Sequence, residues 1–188
     1  MAYHSALHAP LEAPPVERFE INDSLAFTHN VWRTLPPEFA SCDVFYSDPP
    51  WSRGYPTFNA RAGGEWPPYT AFVLRLDRLA LNLAPPVIYV VDRSFARLCH
   101  ADFTASLMLN GRPAVAASYR LAIPVAFKDS ESLLELLARR FRRVGDFMAG
   151  YGRTGRVFAG LGGSFVLSDY NAHCIGYIAN HAPGWFRP

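Results

Sequence analysis

Four consecutive residues, Asp48-Pro49-Pro50-Trp51, combine a carboxylate, a rigid turn and an aromatic ring directly after an apolar run. Each proline fixes its φ angle near about −65°, so the Asp48 carboxylate and the Pro49 carbonyl would be held as rigid hydrogen-bond acceptors. Trp51 adds a flat face on which a ring can stack. Two acceptors beside an aromatic face suit a planar heterocycle that carries an exocyclic amino group.

The amine of adenine or cytosine is a poor nucleophile because its lone pair is conjugated into the ring. The nitrogen must become tetrahedral as a methyl group arrives, and it gains positive charge as it does so. Hydrogen bonds to the Asp48 carboxylate and the Pro49 carbonyl would strengthen with that charge and stabilise the transition state. With a sulfonium as methyl donor the reaction is a direct displacement, in which proximity supplies much of the acceleration. The alternative interpretation of these residues is an ordinary turn.

A second segment, D-F-M-A-G-Y-G-R-T at 146–154, lies about a hundred residues further along the chain. Gly150 and Gly152 permit a tight turn and a close approach of the backbone to a ligand. Asp169 follows the next predicted strand, where an acidic residue can accept hydrogen bonds from ribose hydroxyls. A plain strand–helix turn and a helix N-cap are the alternatives for these two features.

The surrounding pattern alternates between strands and helices. Apolar runs predict strands at 44–47, 87–91 and 164–168 and a short strand ending near Asp146, while helical spacing predicts helices at 69–83, 132–144 and after Thr154. Asp129 or Ser130 is expected to cap the second helix, and residues 114–127 to form a hairpin or one bent strand. The alternation predicts a doubly wound α/β sheet, with ligands at the carboxyl ends of its strands. Residues 1–17 are predicted to be a flexible tail and residues 18–188 a single catalytic domain.

These motifs resemble those of S-adenosylmethionine-dependent amino-methyltransferases that act on adenine N6 or cytosine N4 in DNA. Asp48–Trp51 is similar to their catalytic (D/N/S)-P-P-(Y/F/W) motif. Residues 146–154 are similar to their cofactor loop, D-P-F-x-G-x-G-T-T, except that Phe147 and Met148 replace its proline and phenylalanine. Asp23 lies in a segment similar to the short G-D motif that often precedes the catalytic motif.

The resemblance implies a Rossmann-like methyltransferase sheet in circularly permuted order, the beta type, because the catalytic motif precedes the cofactor loop. It implies S-adenosylmethionine as cofactor, catalysis by the D-P-P-W residues, and a cofactor site built from Asp23, Asp146, Phe147, Met148, Ala149, Gly150, Gly152 and Asp169. Aspartate first and tryptophan last favour adenine N6 in DNA. The alternatives are cytosine N4 in DNA, adenine N6 in RNA, a non-catalytic subunit that binds nucleic acid, and the amide of glutamine, whose enzymes usually carry N-P-P-Y.

The loop at 52–68 mixes cations with aromatic rings, as sites for flipped or single-stranded bases do. We expect Arg53, Tyr55 and Arg61 to contact nucleic acid, although a lid without base contacts is the alternative. The short length left for target recognition predicts a homodimer or a separate recognition subunit. The net charge of +2 indicates no partner by itself, and the scattered cysteines and histidines predict no metal site. Three unpaired cysteines and the absence of an apolar span favour a reduced, cytoplasmic protein.

Overall fold

The computed structural model describes residues 17–30, 35–57 and 67–186. Within these ranges, nine strands form one mixed sheet. They are β1 (Arg18–Ile21), β2 (Ser24–Thr28), β3 (Val44–Ser47), β4 (Val87–Val91), β5 (Phe103–Leu109), β6 (Arg112–Tyr119), β7 (Ala126–Asp129), β8 (Arg143–Asp146) and β9 (Ser164–Asp169). The helices are α1 (Tyr69–Asn82), the single turn α2 (Arg93–Ala96), α3 (Ser130–Arg140), α4 (Arg153–Gly160) and α5 (Ala172–His181), with 3-10 turns at Pro37–Ser41 and Ala182–Gly184.

Five parallel strands occupy the middle of the sheet, whose order is β1-β2-β9-β8-β3-β4-β6-β5-β7. Strands β2, β9, β8, β3 and β4 pair parallel to one another. Strand β1 pairs antiparallel with β2 at one edge, and β5 and β6 form an antiparallel hairpin beside β4. The predicted doubly wound Rossmann-like sheet, with a hairpin or an antiparallel edge strand, is therefore confirmed. The hairpin lies inside the sheet, because β7 flanks it, and β1 is the antiparallel edge strand.

Helices cover both faces of the central strands, as their continuous apolar sequences require. Along β3 the side chains of Val44 and Tyr46 pack on the face covered by α3, α4 and α5. The Phe45 side chain points the other way and packs with α1 and the Pro37–Ser41 turn. None of the helices in the described ranges combines the length and apolar composition that a membrane crossing needs.

The predicted helix at 132–144 ends earlier than its apolar spacing suggests. Helix α3 stops at Arg140, and Phe141 adopts an extended conformation. The backbone amides of Arg142 and Arg143 then donate to the Asp43 carboxylate, at 3.0 and 2.9 Å, which turns the chain into β8. Val144, predicted on the apolar side of the helix, lies in that strand. The start agrees with the sequence, because Asp129 caps the helix by accepting from the Ser132 amide at 2.9 Å.

The hairpin lies before the position that the sequence analysis assigned to it. Its two-residue turn is Asn110-Gly111, with φ angles of 49° and 74°, which is the geometry that an Asn-Gly pair favours. Leu109 pairs with Arg112 across the turn, whereas β4 ends opposite Val115. The hairpin tip therefore projects past the carboxyl end of β4, on the same side of the sheet as the other strand ends.

Candidate active site

Four of the parallel strands end in, or are followed directly by, an aspartate. Asp48 follows β3, Asp92 follows β4, and Asp146 and Asp169 close β8 and β9. Because these strands are neighbours and run in one direction, the four carboxylates gather along one edge of the sheet. This edge is where ligands bind in open α/β sheets.

Asp146 is buried and accepts three hydrogen bonds. The Ser47 hydroxyl donates to one carboxylate oxygen at 2.6 Å and the Met148 amide donates to the same oxygen at 3.0 Å. The Thr154 hydroxyl donates to the other oxygen at 2.7 Å. Burial raises the pKa of Asp146 to about 7, while these donors act in the opposite direction. The side chain thus connects the end of β3, the loop after β8 and the first turn of α4.

Asp169 holds the glycine loop in place. One of its oxygens accepts from the Gly150 amide at 2.9 Å, and the other accepts from the Asn171 amide at 2.9 Å. Burial raises the pKa of Asp169 to about 6, against the effect of these amides. Asn171 then caps α5 by accepting from the His173 amide at 3.0 Å. The Asp169 carboxylate therefore fixes the conformation of the glycine loop through its hydrogen bond with the Gly150 amide.

The two glycines of the loop have different surroundings. Both have positive φ angles, +50° at Gly150 and +77° at Gly152. A Cβ atom on Gly150 would have no heavy atom within 4 Å, so this backbone faces open space. A Cβ on Gly152 would lie 2.5 Å from the Trp185 ring and 2.9 Å from Ile178. Gly150 thus leaves room for a ligand. Gly152 allows the start of α4 to pack against Ile178 of α5 and against Trp185.

A cleft of ≈350 Å³ opens beside this loop. Its wall includes Asp48 and the hairpin-tip residue Asn110. The remaining lining residues come from β3, the glycine loop, α4, α5 and the C-terminal turn, namely Tyr46, Ala149, Gly150, Tyr151, Arg153, Thr154, Arg156, Tyr177 and Trp185. The Tyr46 side chain is buried, so it lies beneath the surface of the cleft.

A second cleft, of ≈710 Å³, lies on the other side of Asp48. The D-P-P-W residues form one wall, and Leu109, Asn110 and Pro113 of the hairpin contribute to another. Asp48 and Asn110 line both clefts, so the two spaces meet at the Asp48 carboxylate.

The Asp48 side chain is open to these clefts but enclosed by protein, and this loss of hydration raises the pKa of its carboxyl to about 6. The Arg153 guanidinium acts in the opposite direction and favours the ionised form.

The D-P-P-W segment is held against the end of β4. The Trp51 indole nitrogen donates to the Val90 carbonyl at 3.4 Å. The amide and hydroxyl of Ser52 both donate to one Asp92 oxygen, at 3.1 and 2.7 Å. The other Asp92 oxygen accepts from the Phe95 amide at 2.8 Å and caps α2. Asp92 therefore fixes the loop that leaves the motif.

Three arginines line the second cleft from three separate segments. Arg53 belongs to the loop after the catalytic motif, Arg93 begins α2 and Arg112 begins β6. They place positive charge beside the D-P-P-W residues, which suits an anionic polymer whose reacting group enters the cleft.

The structure brings most of the predicted site residues together, but not all of them. Asp23 lies in the β1–β2 turn, at the amino end of β2 and hence on the opposite edge of the sheet, so we leave it out of the site. The Tyr55 ring is only 4% exposed and its hydroxyl donates to the Pro67 carbonyl at 2.7 Å. Tyr55 thus anchors the loop, and we leave it out of the nucleic-acid contacts. Arg61 lies outside the described residues.

Within the predicted cofactor loop, the residues differ in what they face. Phe147 and Met148 are buried in the core on the α1 side, where Phe147 packs against Phe39, Phe45 and Tyr89. Ala149 and Gly150 line the smaller cleft. The loop's backbone and its glycine therefore face the cleft, whereas its large side chains anchor it.

Several residues of the site were missed by sequence reasoning. Asp92 had a usable signal, because it follows a buried strand as Asp48 does. Asn110 was also detectable, since Asn-Gly between two runs of strand-forming residues is a strong hairpin signal. Tyr46, Tyr177 and Trp185 carried none, because only tertiary packing brings them to the cleft.

Comparison with known proteins identifies the fold. No protein-family profile matches the chain, and no curated protein sequence matches it. Among solved structures, M1.HpyAVI aligns with a TM-score of 0.54 and 11% identity, over 84% of this chain and 97% of the other. A proposed DNA modification methylase from Thermus thermophilus, TTHA0409, aligns with a TM-score of 0.50 and 16% identity, over 77% and 89%. The chain therefore shares the Rossmann-like fold of these structures.

Replacing Asp146 with alanine should destabilise the protein strongly. The change leaves the Ser47 hydroxyl, the Thr154 hydroxyl and the Met148 amide buried without their acceptor. We expect the free energy of unfolding in urea to fall by about 3 kcal/mol or more, since each unsatisfied group costs about 1–3 kcal/mol. Asp146→Asn keeps one carbonyl acceptor and should cost less. Equal stability of wild type and Asp146→Ala would contradict the central position of this carboxylate.

Proposed function

We propose that the chain is an S-adenosylmethionine-dependent methyltransferase that modifies an exocyclic amine of a nucleobase in DNA. The observation that carries this proposal is the meeting of two clefts at the Asp48 carboxylate, one beside a glycine loop and one beside the D-P-P-W residues. A donor in the first and an acceptor in the second would both reach Asp48. The fold shared with M1.HpyAVI supports the same conclusion.

The smaller cleft fits the cofactor in volume and in chemistry. Gly150 leaves space at its wall, and Tyr151 and Tyr177 form an aromatic pair whose ring centroids lie 5.2 Å apart beside it. We assign cofactor binding to the Ala149–Gly150 backbone and to Asp169 for the ribose. When bound, the cofactor would supply a methyl group from a sulfonium sulfur. The rest of the cofactor would leave as a neutral thioether.

In the larger cleft the chain's own residues would orient the amine. The Asp48 carboxylate and the Pro49 carbonyl accept its two N–H groups, and Trp51 stacks on the base. The hydrogen bond to Asp48 strengthens as the nitrogen becomes positive, which lowers the barrier. The methylated nitrogen then loses one proton, and Asp48 in its ionised form is placed to receive it.

The arginines around the larger cleft favour nucleic acid as the substrate. Arg53, Arg93 and Arg112 suit the phosphates that flank a base extruded toward Asp48. We favour adenine N6 in DNA as the target, because the motif begins with aspartate and ends with tryptophan. Cytosine N4, adenine in RNA and a non-catalytic subunit are the alternatives that the experiments below separate. A homodimer or recognition subunit and a cytoplasmic location remain part of the proposal.

The decisive experiment is transfer of labelled methyl from S-adenosylmethionine to unmethylated DNA, with RNA as the control and chromatography of the nucleosides. Label in N6-methyladenine from DNA supports the proposal in full. Label in N4-methylcytosine would show that the target base is cytosine and not adenine. Label in RNA alone would show that the substrate is RNA and not DNA. No transfer and no cofactor binding would overturn it in favour of a non-catalytic subunit.

Asp48→Ala should abolish methyl transfer while leaving the calorimetric affinity for S-adenosylmethionine within about fivefold of wild type. The variant removes an acceptor for the amine but none of the loop that faces the smaller cleft. We expect the rate to fall about a thousandfold or more, as for other groups that stabilise developing charge. Asp23→Ala, at the opposite edge of the sheet, is the matched control and should retain full activity. Parallel loss of binding and transfer in Asp48→Ala would undo the assigned role.

Methyl transfer should decline as the pH falls through about 6. The pKa of Asp48 is raised to about 6, so the carboxylate becomes protonated below that pH and can no longer accept from the amine. At DNA concentrations well below KM, where the rate follows kcat/KM and reports ionisation of the free enzyme, we expect it to drop about tenfold for each pH unit below the pKa. A rate that stays constant down to pH ~5, in a protein that circular dichroism shows to be folded, would contradict an ionised Asp48 in the reaction.

Gly150→Ala and Gly152→Ala should separate binding from folding. The Gly150 variant places a methyl group in the smaller cleft, with a backbone cost of about 1–2 kcal/mol for its left-handed φ. We expect a clear loss of affinity for S-adenosylmethionine with a modest fall in melting temperature. The Gly152 variant adds a clash with Trp185 and Ile178, so its melting temperature should fall further. Undiminished cofactor affinity in Gly150→Ala would show that the cofactor lies elsewhere.

A further inference from the structure

We propose that Arg153 recognises the carboxylate at the amino-acid end of the methyl donor, which makes it the residue that selects S-adenosylmethionine by charge. This inference rests on the proposed function, because it assigns one end of the proposed cofactor to one side chain. The observations that carry it are the position of the guanidinium, the way it is held and the neutrality of the two groups that hold it.

Arg153 begins α4, directly after the glycine loop, and its side chain is half-buried in the wall of the smaller cleft. One terminal nitrogen donates to the Ser130 hydroxyl at 3.0 Å and the other donates to the Asn110 side-chain oxygen at 3.0 Å. The guanidinium is thus fixed from two sides, by the start of α3 and by the hairpin tip. A fixed guanidinium plane loses little conformational entropy when it binds a planar anion.

Both partners of Arg153 are neutral. Within the described ranges, no carboxylate lies within ion-pairing distance of its guanidinium. Arg156, one turn further along α4 and lining the same cleft, does have such a partner, since it lies 3.5 Å from the Glu131 carboxylate. A half-buried cation that keeps unused N–H donors and faces a cleft is suited to an anionic ligand.

The surroundings define which anion fits. A ligand that fills the smaller cleft lies beside Gly150, Arg153 and Asp48, because all three line it. Positive potential at the amino end of α4 adds to that of the guanidinium. Of the groups that the proposed cofactor carries, its carboxylate is the anion, and a guanidinium binds a carboxylate through paired N–H donors.

The test compares two ligands that differ by this carboxylate. Isothermal titration calorimetry would measure the affinities of S-adenosylmethionine and its decarboxylated analogue for wild type and Arg153→Gln. We expect wild type to prefer S-adenosylmethionine by about tenfold or more. Arg153→Gln should lose about ten- to a hundredfold in affinity for S-adenosylmethionine and little for the analogue, as expected for one charged hydrogen-bonding pair.

Two further variants sharpen the result. Arg153→Lys keeps the charge without the planar fork and should recover part of the preference for S-adenosylmethionine. Arg140→Gln removes a cation from the end of α3, outside both clefts, and should change neither affinity. If Arg153→Gln weakens both ligands equally, Arg153 only holds the hairpin tip through Asn110 and the inference is overturned. Equal binding of the two ligands by wild type also overturns it while leaving the proposed function intact, whereas binding of neither ligand by wild type counts against the proposed function itself.

Discussion

The buried Asp146 carboxylate is the interaction on which the rest of the site depends. Its three donors come from the end of β3, from the loop after β8 and from the first turn of α4. Ser47 directly precedes Asp48, and Thr154 belongs to the helix that carries Arg153. One side chain therefore sets the distance between the segment that faces the larger cleft and the segment that faces the smaller cleft. Burial of an acid is unfavourable unless donors compensate for the lost water, and here the compensation comes from the parts that must be aligned.

The other strand-end acids repeat this arrangement on a smaller scale. Asp169 orders the glycine loop through the Gly150 amide, and Asp92 orders the exit from the catalytic motif through Ser52. Asp48 differs from them because its carboxylate faces the clefts instead of the backbone. The site thus consists of one carboxylate open to ligands and three that fix the loops around it. The hairpin tip at Asn110 completes the boundary between the clefts from outside the parallel strands.

The sequence predicted the central strands and the two motifs because both depend on local patterns. Buried parallel strands are continuous apolar runs, and β3 and β4 were placed correctly to the residue. The helix at 132–144 was drawn too long, since the apolar spacing continues by coincidence through Val144 and no glycine or proline marks the boundary. An aromatic residue in a loop can equally stack on a ligand or anchor the loop in the core, so the loop pattern alone could not predict that Tyr55 is buried. The position of Asp23 could not be predicted without β1 and β2, which set the direction of the chain at that point.

The hydrogen bond between Ser47 and Asp146 joins residues that are 99 positions apart in the chain. Strand β3 has β8 as one of its two neighbours, so during synthesis it stays uncovered on that side until the C-terminal third of the chain has emerged. Contacts of such long sequence separation form slowly, because the intervening chain must close first. Both clefts should therefore arise together and late in folding. A truncated or half-folded chain would carry the D-P-P-W residues without the fixed geometry around them.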